Sequence, residues 1–443
     1  DDIAHYTTNN DVILQKNLSM QTAIKHYPLT TNQSEMFQEW EEDTKMTQFN
    51  ICGYYLIEGH PLIAKRMRDV FKMIIESHPV FRMRLLHVGE QEVAPLKHYD
   101  DPTRLIRQYP DYSQDITMTF QTMSDEQLDS HIKKPLKPFD PFGEPLLRAE
   151  FIETPSRQYL CFEFFHLLAD GLTYQSFVND IKAAYAGMDL KPQSLEFFEY
   201  AEQQYQWWDT EEYFRLQHFY ESKYADGLSF TRLHESHGEN YPWGELLQES
   251  YVVDKDWIED YCERHDLSVA SVMMAVYGWA LSKASGESTV AFLTGYHGRG
   301  KGNIDKALYG NYMKEIVIRL NITDTISLQS LTKQMEREMM EGIRHSDYPI
   351  DHYLHTHLSD EDYDCTECLF NSSYLDMTTS MGDIKVSAHI KTTGMTSIPL
   401  ILTIHRFDDK YVLEAQGSGG RYSRRQLRDF LQLYADIIGK EMV

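Results

Sequence analysis

An α/β fold in two lobes is what this sequence predicts, and three observations predict it. Strand-like and helix-like stretches alternate from residue 50 onward, the order that builds mixed sheets flanked by helices. One run, Gln158-Tyr-Leu-Cys-Phe-Glu-Phe-Phe165, is almost wholly apolar, as a strand covered on both faces must be. The chain has 443 residues, more than a single core serving roughly 100–200 residues accommodates.

Composition agrees. Hydrophobic residues at 42% and charged residues at 25% are ordinary globular usage. The 29 Tyr and 21 Phe supply a large core and exclude disorder for the bulk of the chain. A formal charge of −26 excludes nucleic acid as a main partner, because phosphate contacts need clustered Lys and Arg. Any anionic ligand needs a local basic patch set against that field.

Taken in order, residues 1–26 are polar and carry no clear element. In Tyr27-Pro-Leu-Thr-Thr-Asn-Gln33, Thr31 or Asn32 is the expected cap of a helix through Met36, Phe37 and Trp40. Residues 50–58 are rich in β-formers and read as a strand. Residues 61–77 follow with helical spacing at Leu62, Met67, Val70, Phe71, Ile74 and Ile75, with Pro61 in the first turn. His78-Pro79 ends that helix, and Phe81 to Leu86 is the next expected strand. Residues 146–153 and 158–165 are two more. A helix starts near Thr173, with Phe177, Ile181 and Tyr185 on one face.

Gly, Asp, Lys and Pro crowd together between Gly187 and Pro192, which places the lobe boundary there: 1–188 and 189–443. Residues 194–224 read as one or two helices and 225–248 as loop. Leu267 to Ala284 is a strong helix. Strands are expected at 289–294, 313–320, 367–375, 384–390, 398–405 and 411–417, and a closing helix at 423–440. The five cysteines are too few and scattered for a disulfide framework; Cys52 and Cys161, inside strand-like runs, read as buried thiols. The opening Asp1-Asp2-Ile3-Ala4-His5 is unlike a leader, and the longest apolar run, Val272 to Leu281, is about half a membrane span. The expectation is a soluble cytoplasmic protein with no membrane span, whose oligomeric state the sequence leaves open, a monomer being plausible.

The chemistry concentrates at His166-Leu-Leu-Ala-Asp170-Gly171. His166 sits where a buried strand ends, a common place for α/β chemistry. Gly171 is read as the residue that lets the backbone turn sharply. Alone, this triplet is a modest signal, equally a hydrogen-bonded structural histidine. His352, His355 and His357, followed by Cys365-Thr-Glu-Cys368, suggest zinc, but there is one Cys pair and the three-then-two spacing leaves one helix face. No metal is expected. Met273, Met274, Tyr277 and Trp279 read as core, and Asp360 to Asp364 as a solvated loop.

Read together, the motifs resemble the nonribosomal-peptide condensation domain family, within the chloramphenicol-acetyltransferase-like superfamily. Tyr27 to Gln33 resembles the opening motif. Glu58-Gly59 with Ser77-His-Pro-Val-Phe-Arg82 resembles the second. Lys137-Pro-Phe-Asp140 with Pro145-Leu-Leu-Arg148 resembles the segment ahead of the active site, and Phe165 to Gly171 the active site itself. Gly295-Tyr-His-Gly-Arg299 and Gly310-Asn-Tyr312 through Arg319 resemble the fifth, and Tyr348-Pro349 and Phe370-Asn371 the later ones.

The resemblance implies two such lobes meeting in a V-shaped pseudo-dimer, with a tunnel between them. It implies an acyltransferase acting on an acyl-CoA or phosphopantetheine thioester and an amine or hydroxyl acceptor, with no bound cofactor. A carrier protein is an implied partner. His166, Asp170 and Gly171 are the implied catalytic motif, with Asp170 structural through a pairing with Arg299. Phe165, Thr173, Asn311, Tyr312 and Lys301 are the implied substrate-contacting positions; from the residues themselves, Arg299, Lys301, Lys306 and Lys314 read either as a basic cluster for a phosphate or as a plain solvated loop. The departures are Phe165 where many members carry a first His, Lys314 and Val317 where Asn and Pro are frequent, and Thr173 where Ser is common. With no adenylation-type segment or carrier-attachment site in it, the chain reads as a divergent, stand-alone member. The rival readings are an epimerase-like relative and a silent recruitment platform for a carrier or partner enzyme.

Overall fold

The computed structural model describes residues 25–442 except 114, 234–243, 301–304, 306, 359–367, 373–377, 382–383 and 397. The first half runs β1 (Tyr27–Pro28), α1 (Thr31–Glu42), β2 (Asn50–Glu58), α2 (Ala64–Ser77), β3 (Met83–His87), β4 (Ile106–Pro110), β5 (Thr119–Thr122), α3 (Asp125–Ile132), β6 (Leu147–Glu153), β7 (Arg157–Phe165) and α4 (Gly171–Tyr185). Then come α5 (Glu196–Trp207), α6 (Glu211–Lys223), β8 (Gly244–Asp254), α7 (Lys255–His265), α8 (Val269–Ser285), β9 (Thr289–Tyr296), β10 (Lys314–Asn321), α9 (Leu328–His345) and α10 (Ile350–His357). The chain finishes with β11 (Cys368–Ser372), β12 (Thr378–Met381), β13 (Ile384–Ile390), β14 (Met395–Thr396), β15 (Leu400–Arg406), β16 (Lys410–Ser418) and α11 (Arg424–Met442).

Local chemistry sets these boundaries. The hydroxyl of Thr30 accepts from Gln33 N–H and Gln33 Oε1 accepts from Thr30 N–H, a reciprocal cap. It caps α1 one residue ahead of Thr31 and two ahead of Asn32, the expected caps. Helix α2 begins later than Pro61 because Leu62 N–H donates to Gln158 Oε1 at 3.0 Å and Ile63 N–H to Tyr185 Oη at 2.8 Å. Those outside acceptors hold residues 62 and 63 off the helix. Phe81 belongs to a 3-10 turn, Pro79–Arg82, ahead of the strand.

A six-stranded mixed sheet has the order β12-β13-β2-β7-β6-β5 and a seven-stranded one β10-β9-β11-β15-β16-β8-β14. Strand β7 is central, with Asn50 opposite Phe165 and Leu147 opposite Phe164. Tyr159 through Phe162, Phe164 and Phe165 are all buried, as the apolar run predicted. Phe162 and Phe164 meet Phe177 of α4 edge-on at 5.0 and 5.1 Å. Each such buried ring contributes about 1.5–3 kcal/mol. Cys52 and Cys161 are buried on the other face with sulfurs 3.6 Å apart. In the seven-stranded sheet, α8, α9 and α11 cover one face, and Met273, Met274 and Tyr277 lie in that core.

Strands β12 and β13 lie late in the chain yet pair with β2, Ala388 opposite Tyr55. Strand β8 occupies part of the stretch read as loop. Val253 is the buried apolar side chain along it and its neighbours are half-exposed or polar, so it gives little hydrophobic signal. Among the described residues no single helix is long and apolar enough to cross a membrane.

Candidate active site

The end of β7 is held from three sides. Phe165 N–H donates to Leu146 O at 2.9 Å, His166 N–H to Phe49 O at 2.8 Å, and Leu168 N–H to Phe165 O at 2.9 Å. Leu167, Leu168 and Ala169 are fully buried, while His166 is half-buried. Gln33 Nε2 reaches across to Leu167 O at 2.8 Å. Gln33 is itself fixed by a reciprocal amide pair with Gln108, which also donates to Pro28 O. The opening motif thus braces the histidine loop.

Burial pushes the His166 pKa below the usual histidine value. The negative charge of Asp170 and a hydrogen bond from the ring to its own main-chain carbonyl oppose that shift without cancelling it. The imidazole is therefore neutral at neutral pH. The Asn311 amide NH2 stands 3.4 Å from His166 Nδ1. Asn311 Nδ2 donates to the same carbonyl at 2.8 Å.

Asp170 caps α4, its Oδ1 accepting from Thr173 N–H at 2.8 Å. Its Oδ2 accepts from Arg299 at 2.5 Å and from Tyr312 N–H at 3.1 Å. Arg299 spends its remaining donors on Leu308 O, His297 O, Thr173 Oγ1 and Gly310 O. Its guanidinium lies over the Tyr312 ring, 4.6 Å from the centroid. The two side chains are 0% and 3% exposed. Two glycines permit this closeness. Gly298 has φ +66°, and a Cβ there would stand 1.9 Å from Tyr312 O; at Gly310, φ is +140° and a Cβ would meet the Phe197 ring at 2.2 Å.

The structure places the remaining sequence candidates as follows. Thr173 and Tyr312 are buried members of this network, and the Thr173 hydroxyl bonds Gly310 in both directions at 2.7 and 3.1 Å. Phe165 points into the core, fully buried and stacked on Phe139 with centroids 5.5 Å apart, which places its ring as packing material. Gly171 opens α4 without a left-handed φ, which corrects the reading of it as a forced turn. Arg299 is buried and fully engaged, so it is not part of a phosphate-facing cluster; Lys314 lies over the Tyr200 ring at 5.4 Å. Lys301 and Lys306 fall outside the described residues, as do Cys365 and Asp360 to Asp364.

His352 packs against Trp208 and Tyr99, and burial pushes its pKa down to about 4. Cys368 is buried and donates to Thr231 O at 3.3 Å. Sequence reasoning missed Asn32, Gln33 and Gln108 as site residues, although the opening motif contains the first two. It also missed Glu35, Glu315 and Asp351, carboxylates from α1, β10 and α10 that meet where the two halves touch. There, burial and the neighbouring Asp351 push Glu35 and Glu315 well above the usual carboxyl range.

Residues 23–394 match the family model described as Condensation domain. Gramicidin S synthase 2 of Brevibacillus brevis is 21% identical over 334 residues, 74% of this chain, and the chain spans 7% of that synthase. A mutant starter condensation domain of rhizomide synthetase, solved with C8-CoA and Leu-SNAC, superposes with a TM-score of 0.76 at 16% identity, over 94% of this chain and 95% of that one. The first condensation domain of the calcium-dependent antibiotic synthetase gives 0.76 at 13% identity, over 95% and 97%. The expected chloramphenicol-acetyltransferase-like fold is therefore the fold observed. Since the family model covers most of its length, this chain belongs to the condensation domain family.

Proposed function

We propose that this domain transfers an acyl group from a thioester, acyl-CoA or a phosphopantetheine-bearing carrier protein, to an amine or hydroxyl, with His166 as the proton acceptor. The observation that supports this reading is the place of His166 directly after β7, where burial lowers its pKa and keeps the imidazole neutral. The nucleophile attacks the thioester carbon and its proton passes to the imidazole. The tetrahedral intermediate collapses, the C–S bond breaks, and the thiolate takes the proton back from the imidazolium. A thioester needs no enzyme nucleophile, so alignment of the two substrates supplies much of the rate. A main-chain N–H near Gly171, at the start of α4, is the proposed oxyanion donor. Asp170 has both oxygens engaged and acts as the structural member. The C8-CoA bound to the rhizomide starter domain supports a CoA-type donor. The two lobes are proposed as 1–188 and 189–443, in a cytoplasmic monomer working beside a carrier protein.

The test is a thiol-release assay with a panel of acyl-CoAs and a pool of amines and alcohols, wild type beside His166→Ala. Acceptor-dependent release that vanishes in the variant is the expected result. Release untouched by His166→Ala overturns the role of His166. No release from any CoA or carrier-bound donor overturns the transfer and favours a recruitment platform.

A further inference from the structure

We propose that Lys133, Lys134, Lys137 and Lys391 form a phosphate-binding patch, which holds the phosphate end of a CoA or phosphopantetheine donor whose thioester reaches His166. A chain of net charge −26 repels such a donor unless a local patch attracts it. Arg299 cannot supply that patch, because it is buried in its pair with Asp170. The run Lys133-Lys-Pro-Leu-Lys137 puts three lysines in five residues, and all three are exposed. None of these three ammonium groups has an ion pair or hydrogen bond among the described residues.

The run lies on the face of the six-stranded sheet that α3 covers, with Leu136 packed against the cluster of Cys52 and Cys161. Lys137 O accepts from Asn50 Nδ2 at 2.8 Å and from Arg148 Nη1 at 2.9 Å. Asn50 stands opposite Phe165, and His166 N–H donates to Phe49 O at 2.8 Å. Lys137 therefore sits at the shoulder of the histidine loop. Lys391 arrives from far along the chain: its N–H donates to Cys52 O at 2.9 Å, and its charge acts on Glu163, which accepts from Asn50 Nδ2 at 2.6 Å. The carboxylates around the run are already engaged. Glu144 and Glu163 hold Arg148, Glu150 holds His131, Asp129 holds Arg157, and Asp140 accepts from Phe142 N–H. The charges of Lys133, Lys134 and Lys137 are left uncompensated, which suits a phosphate met as a point charge. From Lys137 back to Lys133 the chain spans at most about 14 Å, and the donor's arm from sulfur to its first phosphorus, about 13 bonds, spans about 15 Å at the same rise. A thioester at His166 thus has its phosphate within reach of this run.

The inference names where the donor of the proposed acyl transfer is held and rests on that reading, but its binding arm needs no turnover. The first experiment is calorimetric titration of the full chain with CoA, 4′-phosphopantetheine and pantetheine. The two phosphorylated ligands are expected to bind at least about tenfold more tightly than pantetheine, with the difference shrinking at about 0.5 M salt. CoA well ahead of phosphopantetheine identifies free CoA as the source; equal affinities identify the phosphate of the arm itself, which a carrier protein also presents. Lys133→Glu/Lys134→Glu is expected to weaken CoA binding at least about tenfold. Lys65→Glu/Lys72→Glu makes the same change in net charge on α2, which packs on the opposite face of the sheet, and is expected to change CoA affinity less than about twofold. The second experiment is kinetic. Lys133→Glu/Lys134→Glu is expected to raise KM for acyl-CoA about tenfold with kcat within about twofold, and to leave turnover of a phosphate-free acyl-N-acetylcysteamine thioester unchanged. Pantetheine binding as tightly as CoA overturns the proposal, as does absence of CoA and phosphopantetheine binding, an unchanged CoA affinity in Lys133→Glu/Lys134→Glu, or equal weakening by both lysine pairs. If no donor turns over, the transfer reading fails by itself and the titration still decides the patch.

Discussion

Asp170→Asn separates a structural carboxylate from a catalytic one. The substitution keeps Oδ1 for the cap on Thr173 N–H but replaces Oδ2, the acceptor for Arg299 and for Tyr312 N–H. It leaves a guanidinium with 0% side-chain exposure without its counter-charge, and sets an amide NH2 against two donors. Breaking one side of a buried pair costs about 3–5 kcal/mol. Unfolding entropy of about 2.1 cal/mol/K per residue gives about 0.9 kcal/mol/K for 443 residues. The expected fall in Tm is therefore about 3–5 °C for one cooperative transition. Calorimetry reads that fall, and thiol release on the same samples reads the rate. Asp170→Asn combined with Arg299→Gln should recover part of the loss, because the orphaned charge is gone. An unchanged midpoint with lost activity would refute the reasoning and make Asp170 a participant in the chemistry.

Three further outcomes follow from the same junction. Glu35 and Glu315 hold their protons more tightly folded than unfolded, so the stability they contribute is complete below the ordinary carboxyl value of 4.5 and is lost as pH rises through the raised value. Glu315→Gln should raise the unfolding midpoint at pH 8 and show no gain near pH 4.5; an equal gain at both would refute this. Gly298→Ala puts a side chain in the left-handed region, at about 1–2 kcal/mol, and drives its Cβ into Tyr312 O. Denaturant titration should show a loss of more than 2 kcal/mol in all (~). Gln33→Ala leaves Gln108 Oε1 and Leu167 O without partners inside the core, at about 1–3 kcal/mol, and thiol release should slow as the His166 loop loosens.

The first half was legible because its signals are strong and local. The apolar run 158–165 can only be a covered strand, and the residues of 50–58 fit a pleated surface. Two kinds of feature were not. Strand β8 is half-exposed, so its periodicity is diluted. The pairing of β13 with β2 joins residues more than 300 positions apart, and no local pattern encodes it. At the site, His166, Asp170 and Arg299 came from motif order. The roles of Thr173, Asn311 and Tyr312 did not, because the sequence shows a residue type and not whether its face is free. Phe165 shows the same limit. Next to the histidine in sequence, it is the last residue of β7 and packs on Phe139 in the core, while His166 lies in the turn that follows.

The division of the network between the two parts of the chain has a mechanical consequence. His166, Asp170 and Thr173 come from one side, and Arg299, Gly310, Asn311 and Tyr312 from the other. Neither set is satisfied alone: without its partner, Arg299 would lose its counter-charge on Asp170 and its bond to Thr173 Oγ1, and the His166 carbonyl would lose its Asn311 bond. A shift of even 1 Å between the two sides lengthens bonds now at 2.5–2.8 Å beyond useful range. The junction therefore acts as a hub that ties the two parts of the chain together, alongside the pairing of β13 with β2. Motion that admits substrates is expected at a distance from Arg299, with the hub held fixed so that His166 Nε2 keeps its position throughout.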